Sequence, residues 1–123
     1  MQEKENFRIG SRKWSAEMPG DLKHVDLVVL AQELRSEGKV IYLSPNEFQI
    51  VWLLNRANGN FVTEAEITEF LYEDSDDDLP LSNVVASLVV RIRNKIRNEG
   101  LHLNVGFQRG FVYRLERIEE IKD

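Results

Sequence analysis

The chain has 123 residues, of which 42% are hydrophobic and 30% are charged, and this composition is typical of one globular domain with a single core. It contains no cysteine and only 2 histidines, so disulfides, thiolate metal sites and a histidine-based zinc site are not expected. No apolar run reaches the roughly 18 residues of a membrane span, and the first ten residues lack the hydrophobic region of a signal peptide. We therefore expect a cytoplasmic protein that has no membrane partner, cofactor or metal.

The first third of the chain predicts antiparallel strands. Residues 7–9 (FRI) alternate like a short strand, and Pro19-Gly20-Asp21 predicts a turn. An apolar run over 25–34 leads through Glu37-Gly38-Lys39 into a second apolar run, 40–43, which is typical of a β-hairpin. A helix is the alternative for the first run, because Ala, Gln, Glu and Leu favour it. We predict strands because this run is short, rich in valine and followed by a glycine turn.

Two helices with strong N-terminal signals are predicted next. Each begins with a capping box, in which Ser or Thr precedes Glu by three residues. The two boxes are Ser44 with Glu47 and Thr63 with Glu66. The first helix is predicted to end near residues 58–60 (NGN), and the second near Tyr72. Trp52 is expected to be a partly buried flank residue of the first helix rather than a binding anchor.

An acidic segment, residues 73–78 (EDSDDD), follows the second helix. Its spacing lacks the glycine and the distal glutamate of a calcium-binding loop. One interpretation is a solvated loop whose acids cap the next helix, and the other is a contact surface for a basic partner. The candidate partner-contact residues of this loop are Glu73, Asp74, Asp76, Asp77 and Asp78.

An amphipathic helix is predicted over residues 82–98, within a stretch that begins LSNVVASLVVRIRNKI. Apolar residues recur on one side, which should be core: Leu81, Val85, Leu88, Val89, Ile92 and Ile96. The opposite side collects amide, hydroxyl and guanidinium groups with one valine: Asn83, Ser87, Val90, Arg91, Asn94 and Arg97. Such polar groups read base edges and hold phosphates, although a solvated charged face is the alternative for a helix taken alone.

The last part of the chain predicts a β-hairpin. Residues 101–105 alternate, Gly106 interrupts the pattern, and Gln108-Arg109-Gly110 turns into the run 111–115. Two helices followed by a third with a basic outer face and then by a basic hairpin predict a winged helix-turn-helix, a fold of the α+β class.

The charge distribution supports a polyanionic partner although the net charge is −5. Residues 1–80 hold 8 basic and 16 acidic side chains, whereas residues 81–115 hold 6 basic side chains and 1 acidic side chain. A polyanion near the protein responds mainly to charges within a Debye length of about 8–10 Å, so a local positive face can attract it although the net charge is negative. The acidic remainder should weaken non-specific binding.

Four segments, taken in order, match the pattern of a known family. Residues 43–48 (LSPNEF) resemble L-T-P-x-E-F, and residues 58–63 (NGNFVT) resemble the connection between two helices. The spacing V-x-x-x-V-x-x-I-R-x-K-I in residues 85–96 resembles a recognition helix, and RGFVYR in residues 109–114 resembles the R-G-x-G-Y-R of a wing. No single motif is specific, but their order across residues 7–116 resembles the OmpR/PhoB-type effector domains of transcriptional regulators.

The resemblance implies an N-terminal antiparallel sheet, three helices and a C-terminal β-hairpin wing. We expect one domain over 1–123, with 1–6 and 117–123 as flexible tails. The resemblance also implies double-stranded DNA as the partner, with the third helix in the major groove and the 106–114 hairpin as wing. In this family the loop before the third helix often touches RNA polymerase, and a homodimer on DNA is a further expectation. A receiver domain does not precede the motifs, so we expect phosphorylation control to be absent unless the chain is a fragment.

Some positions depart from the family pattern. The family usually has arginine and threonine where this chain has Asn83 and Val84, and often has histidine at Leu88 and a basic residue at Val90. The second valine of the helix pattern is replaced by Ser87, and the second glycine of the wing pattern by Val112; Arg91, Arg93 and Lys95 fit. Part of the expected contact set is therefore changed.

The predicted DNA-binding residues fall into several roles. Arg91 and Asn94 are the best candidates for base edges, because arginine pairs with guanine and asparagine with adenine in bidentate fashion. Val84 or Val90 is a candidate to meet a thymine methyl group, and Arg109 is a candidate to enter the minor groove. Two polar residues are expected to contact bases or phosphate, with helix capping or plain exposure as the alternative: Asn83 and Ser87. Four cations are expected to contact phosphate, with contact to neighbouring structure as the alternative: Arg93, Lys95, Arg97 and Arg114.

The rival interpretation is a protein-interaction module on the same scaffold. It is motivated by the net acidity and by Val84 and Val90 on the outer face, which a protein partner would bury. An enzyme is not expected, because the histidines are far apart in sequence and no phosphate-binding glycine loop or nucleophile motif is present.

Overall fold

The computed structural model describes residues 6–9, 12–15, 26–28, 31–57, 59–72, 84–108 and 112–117. In these residues, three helices combine with antiparallel sheets, which confirms the predicted α+β winged-helix fold. The predicted turn at 19–21 and the acidic loop lie outside the described residues, as do the cap of the third helix and the tip of the last hairpin. Of the two expected tails only Asn6 and Arg117 are described, and both lie in strands.

Five strands precede the first helix. They are β1 (Asn6–Ile9), β2 (Arg12–Ser15), β3 (Asp26–Val28), β4 (Glu33–Ser36) and β5 (Lys39–Tyr42). The first two form a hairpin, and the other three form a sheet in chain order. Strand is therefore confirmed over helix for the run 25–34, but the run contributes to two strands rather than one. The chain turns at Gln32, which has a φ of 52° and whose carbonyl accepts a 2.9 Å hydrogen bond from the Leu43 amide.

The predicted turn between β4 and β5 is confirmed. Ser36 pairs with Lys39, so the loop consists of Glu37 and Gly38 alone. Both have positive φ, 55° and 75°, which is the geometry that a two-residue type I′ hairpin requires. Glycine adopts this conformation without a steric penalty, and this explains the glycine at the second position.

Helix α1 (Pro45–Arg56) begins at the predicted capping box. The Ser44 hydroxyl accepts a hydrogen bond from the Glu47 amide at 3.3 Å, and the Glu47 carboxylate accepts one from the Ser44 amide at 2.8 Å. Trp52 is buried at 6% exposure and stacks on Phe70 with ring centroids 5.5 Å apart, so it is more deeply buried than predicted. It belongs to the core.

Helix α2 (Glu64–Tyr72) confirms the second capping box and the predicted end. The Thr63 hydroxyl accepts a hydrogen bond from the Glu66 amide at 3.0 Å, and the Glu66 carboxylate accepts one from the Thr63 amide at 3.3 Å. Ile67 and Leu71 supply its buried side.

Helix α3 is followed by a hairpin that forms part of a third sheet. The elements are α3 (Val84–Glu99), β6 (Val62–Thr63), β7 (Leu103–Gln108) and β8 (Val112–Arg117), and the strand order is β6-β8-β7. We call this sheet the wing sheet. The hairpin prediction is confirmed, but β7 runs through Gly106, which pairs with Arg114 instead of interrupting the strand. Strand β6 was not predicted, because its two residues were interpreted only as the approach to the start of α2.

The core lies between the three helices and the inner faces of the strands. Helix α3 contributes to it the five described positions that were predicted to be apolar: Val85, Leu88, Val89, Ile92 and Ile96. Leu81, the sixth, lies outside the described residues. The wing sheet adds Leu103, Val105, Tyr113 and Leu115 from one face of the hairpin. Since both components share one core, the position of the wing relative to α3 is set by packing.

Candidate nucleic-acid interface

The outer face of α3 carries the exposed polar side chains that the sequence predicted for it. Ser87, Arg91, Asn94 and Arg97 are exposed, and Val90 is 53% exposed. The opposite side of the same helix is buried, so the helix separates its two faces as its 3.6-residue period requires. Within the described part of the chain, neither Arg91 nor Arg97 forms an ion pair. Both side chains are exposed to solvent, where an external anion can reach them.

Lys95 lies on a different side of α3 and binds to the protein itself. Its ammonium group is 2.5 Å from the Glu47 carboxylate and donates a 3.2 Å hydrogen bond to the Tyr42 carbonyl. The Glu47 side chain is buried, whereas the Lys95 side chain is 39% exposed. Lys95 thus connects α3 to the start of α1 and the end of β5. It contacts neighbouring structure, which was one of the two expectations for this residue.

Glu47 stays ionised in this setting. Burial alone would raise the pKa of its carboxyl group, but the hydrogen bonds from Lys95 and from the Ser44 amide outweigh that effect and leave the pKa below its ordinary value. One carboxylate therefore both caps α1 and anchors α3.

Arg93 lies at the junction between α3 and the wing sheet. It is half-buried, and its guanidinium carbon lies 5.8 Å from the centroid of the Phe107 ring on β7. Its Nε atom is buried and has no hydrogen-bond acceptor among the described residues. A guanidinium group that lies over an aromatic ring retains its capacity to bind an anion, and no carboxylate partner of Arg93 is found in the described part of the chain.

Arg114 on β8 is held by two neighbours in the wing sheet. Its Nε donates a 3.1 Å hydrogen bond to Glu116, and its guanidinium group lies 4.6 Å from the centroid of the Phe61 ring. Glu116 also accepts a 3.2 Å hydrogen bond from Asn104. A Cβ atom on Gly106 would lie 2.7 Å from the Glu116 carboxylate, so the glycine leaves space for this cluster. An anion that binds the other nitrogens of the Arg114 guanidinium group is repelled by the neighbouring Glu116 carboxylate.

Three parts of the predicted site differ from expectation or are not described. Val84 is half-buried against the core, so it does not belong to the exposed outer face; it is the first residue of α3 and its side chain reaches the apolar flank. Asn83 and Arg109 lie outside the described residues. The same holds for the predicted partner-contact residues Glu73, Asp74, Asp76, Asp77 and Asp78.

Sequence reasoning missed two exposed aromatic residues and one hydrogen-bonded pair of side chains. Phe107 is 64% exposed and Tyr42 is 70% exposed. The alternation of residues 101–105 contained a signal for Phe107, since the same face continues to position 107. Glu37 accepts hydrogen bonds from the amide and the ring Nδ1 of His102, and the bond from the amide is the first of the causes that lower the pKa of Glu37. This pair joins the β4–β5 turn to the segment between α3 and β7.

Comparison with known proteins identifies the family. The family described as transcriptional regulatory protein, C terminal, matches residues 38–115, which include α1, α2, α3 and most of the hairpin. The chain belongs to this family. The match confirms the resemblance to OmpR/PhoB-type effector domains and makes the chain a DNA-binding domain of a transcriptional regulator, not an enzyme.

Individual relatives agree with the family assignment. The transcriptional regulatory protein CutR of Streptomyces coelicolor is 29% identical over 91 residues, which are 72% of this chain and 41% of CutR. The chain thus spans about two fifths of the length of this curated relative. The DNA-binding domain of Bacillus subtilis CssR is 27% identical, with a TM-score of 0.61 over 75% of this chain and 99% of that domain.

One structural relative has been solved with nucleic acid. The DNA-binding domain of the response regulator AdeR, in complex with an intercistronic region, has a TM-score of 0.63 over 77% of this chain and 96% of that one. At 19% identity this likeness shows the shared fold. The helices of this regulator domain, where described, are not long and apolar enough to cross a membrane.

Proposed function

We propose that this regulator domain binds double-stranded DNA in a sequence-specific manner, with the 82–98 helix in the major groove and the 106–114 hairpin as the wing. The observation that carries the proposal is the outer face of α3, which exposes Arg91, Asn94 and Arg97 to solvent. An α-helix fits the major groove of B-DNA, and guanidinium and amide groups pair with base edges there.

The residues of the proposed interface divide by role. Arg91 and Asn94 contact base edges, and Ser87 and Asn83 add hydrogen bonds to bases or phosphate. Val90 meets a thymine methyl group, and Arg109 enters the minor groove. The phosphate contacts come from Arg93 and Arg97, while Lys95 and Arg114 are already engaged with Glu47 and Glu116.

Binding of the purified domain to duplexes of random sequence, over a range of salt concentrations, tests this proposal. If Arg91, Arg93, Arg97 and Arg109 each displace counterions from DNA, about four such contacts give a log–log salt slope near −3.6. An affinity that does not change with salt would contradict the mechanism. RNA polymerase, reached through residues 73–78, and a homodimer on DNA are proposed further partners. We also propose that the chain acts in the cytoplasm as one domain over 1–123.

A protein-interaction module is the second candidate function. It is supported by two exposed apolar side chains near α3, Val90 at 53% and Phe107 at 64% exposure. A protein partner would bury both of them. The same binding experiment separates the two functions, because such a module would show weak or no DNA binding.

A further inference from the structure

Phe107 is exposed where the pattern of its strand predicts burial. In β7, Leu103 and Val105 point to the core and are buried, and Phe107 is the next residue on that face. Its partner on β8, Tyr113, is buried, yet the Phe107 ring is 64% exposed. The inner face of the hairpin thus extends past the region that α3 covers and ends in an exposed aromatic ring.

The Phe107 ring is oriented by α3. The guanidinium group of Arg93 lies over it at 5.8 Å, so the ring and the cation form one stacked pair that spans the gap between helix and hairpin. Such a contact favours one orientation of the exposed ring.

The place of this pair determines what it would face on DNA. When a helix occupies the major groove and a wing approaches the adjacent minor groove, one sugar–phosphate strand runs between them. Arg93 and Phe107 stand at that junction. The guanidinium group can donate hydrogen bonds to phosphate oxygens, and the phenyl ring can pack on the apolar side of deoxyribose.

We infer that Phe107 is a DNA-contact residue that packs on the deoxyribose of the strand between α3 and the wing, next to the phosphate that Arg93 binds. This inference rests on the proposed function and deepens it. Because sugar is the same in every nucleotide, the contact strengthens binding to all duplexes and sets the register of the protein on DNA.

The test uses the whole chain and the duplex that it selects from a random library. Phe107→Ala is expected to weaken binding about three- to tenfold, from the loss of apolar contact, and to leave the salt slope unchanged because phenylalanine carries no charge. Arg93→Ala is expected to make the slope shallower by about 1. Tyr42→Ala is the matched control, because Tyr42 is an exposed aromatic residue on the other side of α3.

The position of this control follows from helix geometry. The Tyr42 carbonyl accepts a hydrogen bond from Lys95, whereas Phe107 stacks on Arg93, and residues two apart on a helix differ by roughly 200° in direction. Tyr42→Ala is expected to retain the affinity of the unmodified chain. Because Phe107 is largely exposed, Phe107→Ala should keep the fold, and thermal unfolding checks this.

Two measurements separate direct contact from an effect through Arg93. In the Arg93→Ala background, Phe107→Ala should still weaken binding. Hydroxyl-radical cleavage, which reports on the exposure of deoxyribose, should show protection of sugars at the helix–wing junction that Phe107→Ala removes. The inference is overturned if the unmodified chain and the Phe107→Ala variant bind the duplex equally well. It is also overturned if Phe107→Ala does not weaken binding in the Arg93→Ala background. If the unmodified chain binds no duplex, the proposed function itself fails.

Discussion

Glu47 performs two tasks with one carboxylate, since it caps α1 and pairs with Lys95 of α3. Replacing Lys95 with alanine leaves this buried carboxylate with fewer donors, and we expect the free energy of unfolding to fall by about 1–3 kcal/mol. Urea denaturation measures the change. Arg91→Ala is the control, because Arg91 is exposed on the same helix and should change stability by less than about 0.5 kcal/mol. Equal stability of the two variants would contradict the role of the ion pair.

The same pair makes folding stability depend on pH. The pKa of Glu47 is lowered from its ordinary value of 4.5 by the bonds described above, which outweigh the opposing effect of burial. The stabilisation is therefore complete above the ordinary pKa and is lost as pH falls through the lowered pKa. We expect the stability of Glu47→Gln to decline less than that of the unmodified chain over this acidic range. Parallel urea titrations at several pH values would show identical declines if Glu47 did not contribute.

Arg91 carries the proposed base contact most directly. Arg91→Ala is expected to weaken binding to the preferred duplex by about 1–3 kcal/mol and to relax the preference at one base pair. Arg97→Ala should weaken all duplexes alike, because phosphate contacts carry no sequence information. Competition between the preferred duplex and single-base variants distinguishes the two patterns, and unchanged preference in Arg91→Ala would remove Arg91 from base recognition.

At the scale of elements, the wing sheet contains a competition for Arg114. Glu116→Gln removes the negative charge beside this guanidinium group, and the expected result is about two- to fivefold tighter DNA binding at low salt with a steeper salt slope. Glu69→Gln is the matched control, because it removes the same charge from an exposed position on α2. If both variants change the affinity equally, Arg114 has no special role at the interface.

The elements that the sequence predicts well are those defined by local signals. Ser44 with Glu47 and Thr63 with Glu66 mark helix starts through bonds between residues three apart, and the structure contains both boxes. The turn at Gln32 was not predicted, since it depends on hydrogen bonds to Leu43, eleven residues away. Strand β6 depends on pairing with distant β8, which no local pattern reveals.

The site shows the same division between local and distant causes. The period of α3 is a local property, and it predicted the exposure of Arg91 and Asn94 and the burial of Ile92. The partners of Lys95 and Arg93 come from α1 and β7, and only the tertiary fold brings them together. Sequence reasoning therefore predicted which face of the helix is exposed, but it could not tell which of the cations beside that face contact neighbouring structure.

At the scale of the whole molecule, a chain of net charge −5 holds 6 of its 16 basic residues in residues 81–115, which contain 1 acidic residue. Since Lys95 and Arg114 are paired with carboxylates, fewer cations are available than the sequence count suggests. The log–log salt slope of DNA binding should lie near −3.6, for roughly four contacts, rather than near −5.4 for roughly six. Fluorescence anisotropy between low and physiological salt measures the slope, and a value of about −5.4 would mean that the paired cations are released on binding.

Selection from a library of random duplexes tests the central claim most directly, namely that the outer face of α3 recognises a base sequence. The unmodified chain should enrich one consensus, and Arg91→Ala should lose the preference for guanine at one position while keeping the rest. Arg35→Ala, whose guanidinium group is already paired with Glu33 on β4, should select the same consensus as the unmodified chain. Selection that enriches no sequence, or a consensus that Arg91→Ala leaves unaltered, would contradict the claim.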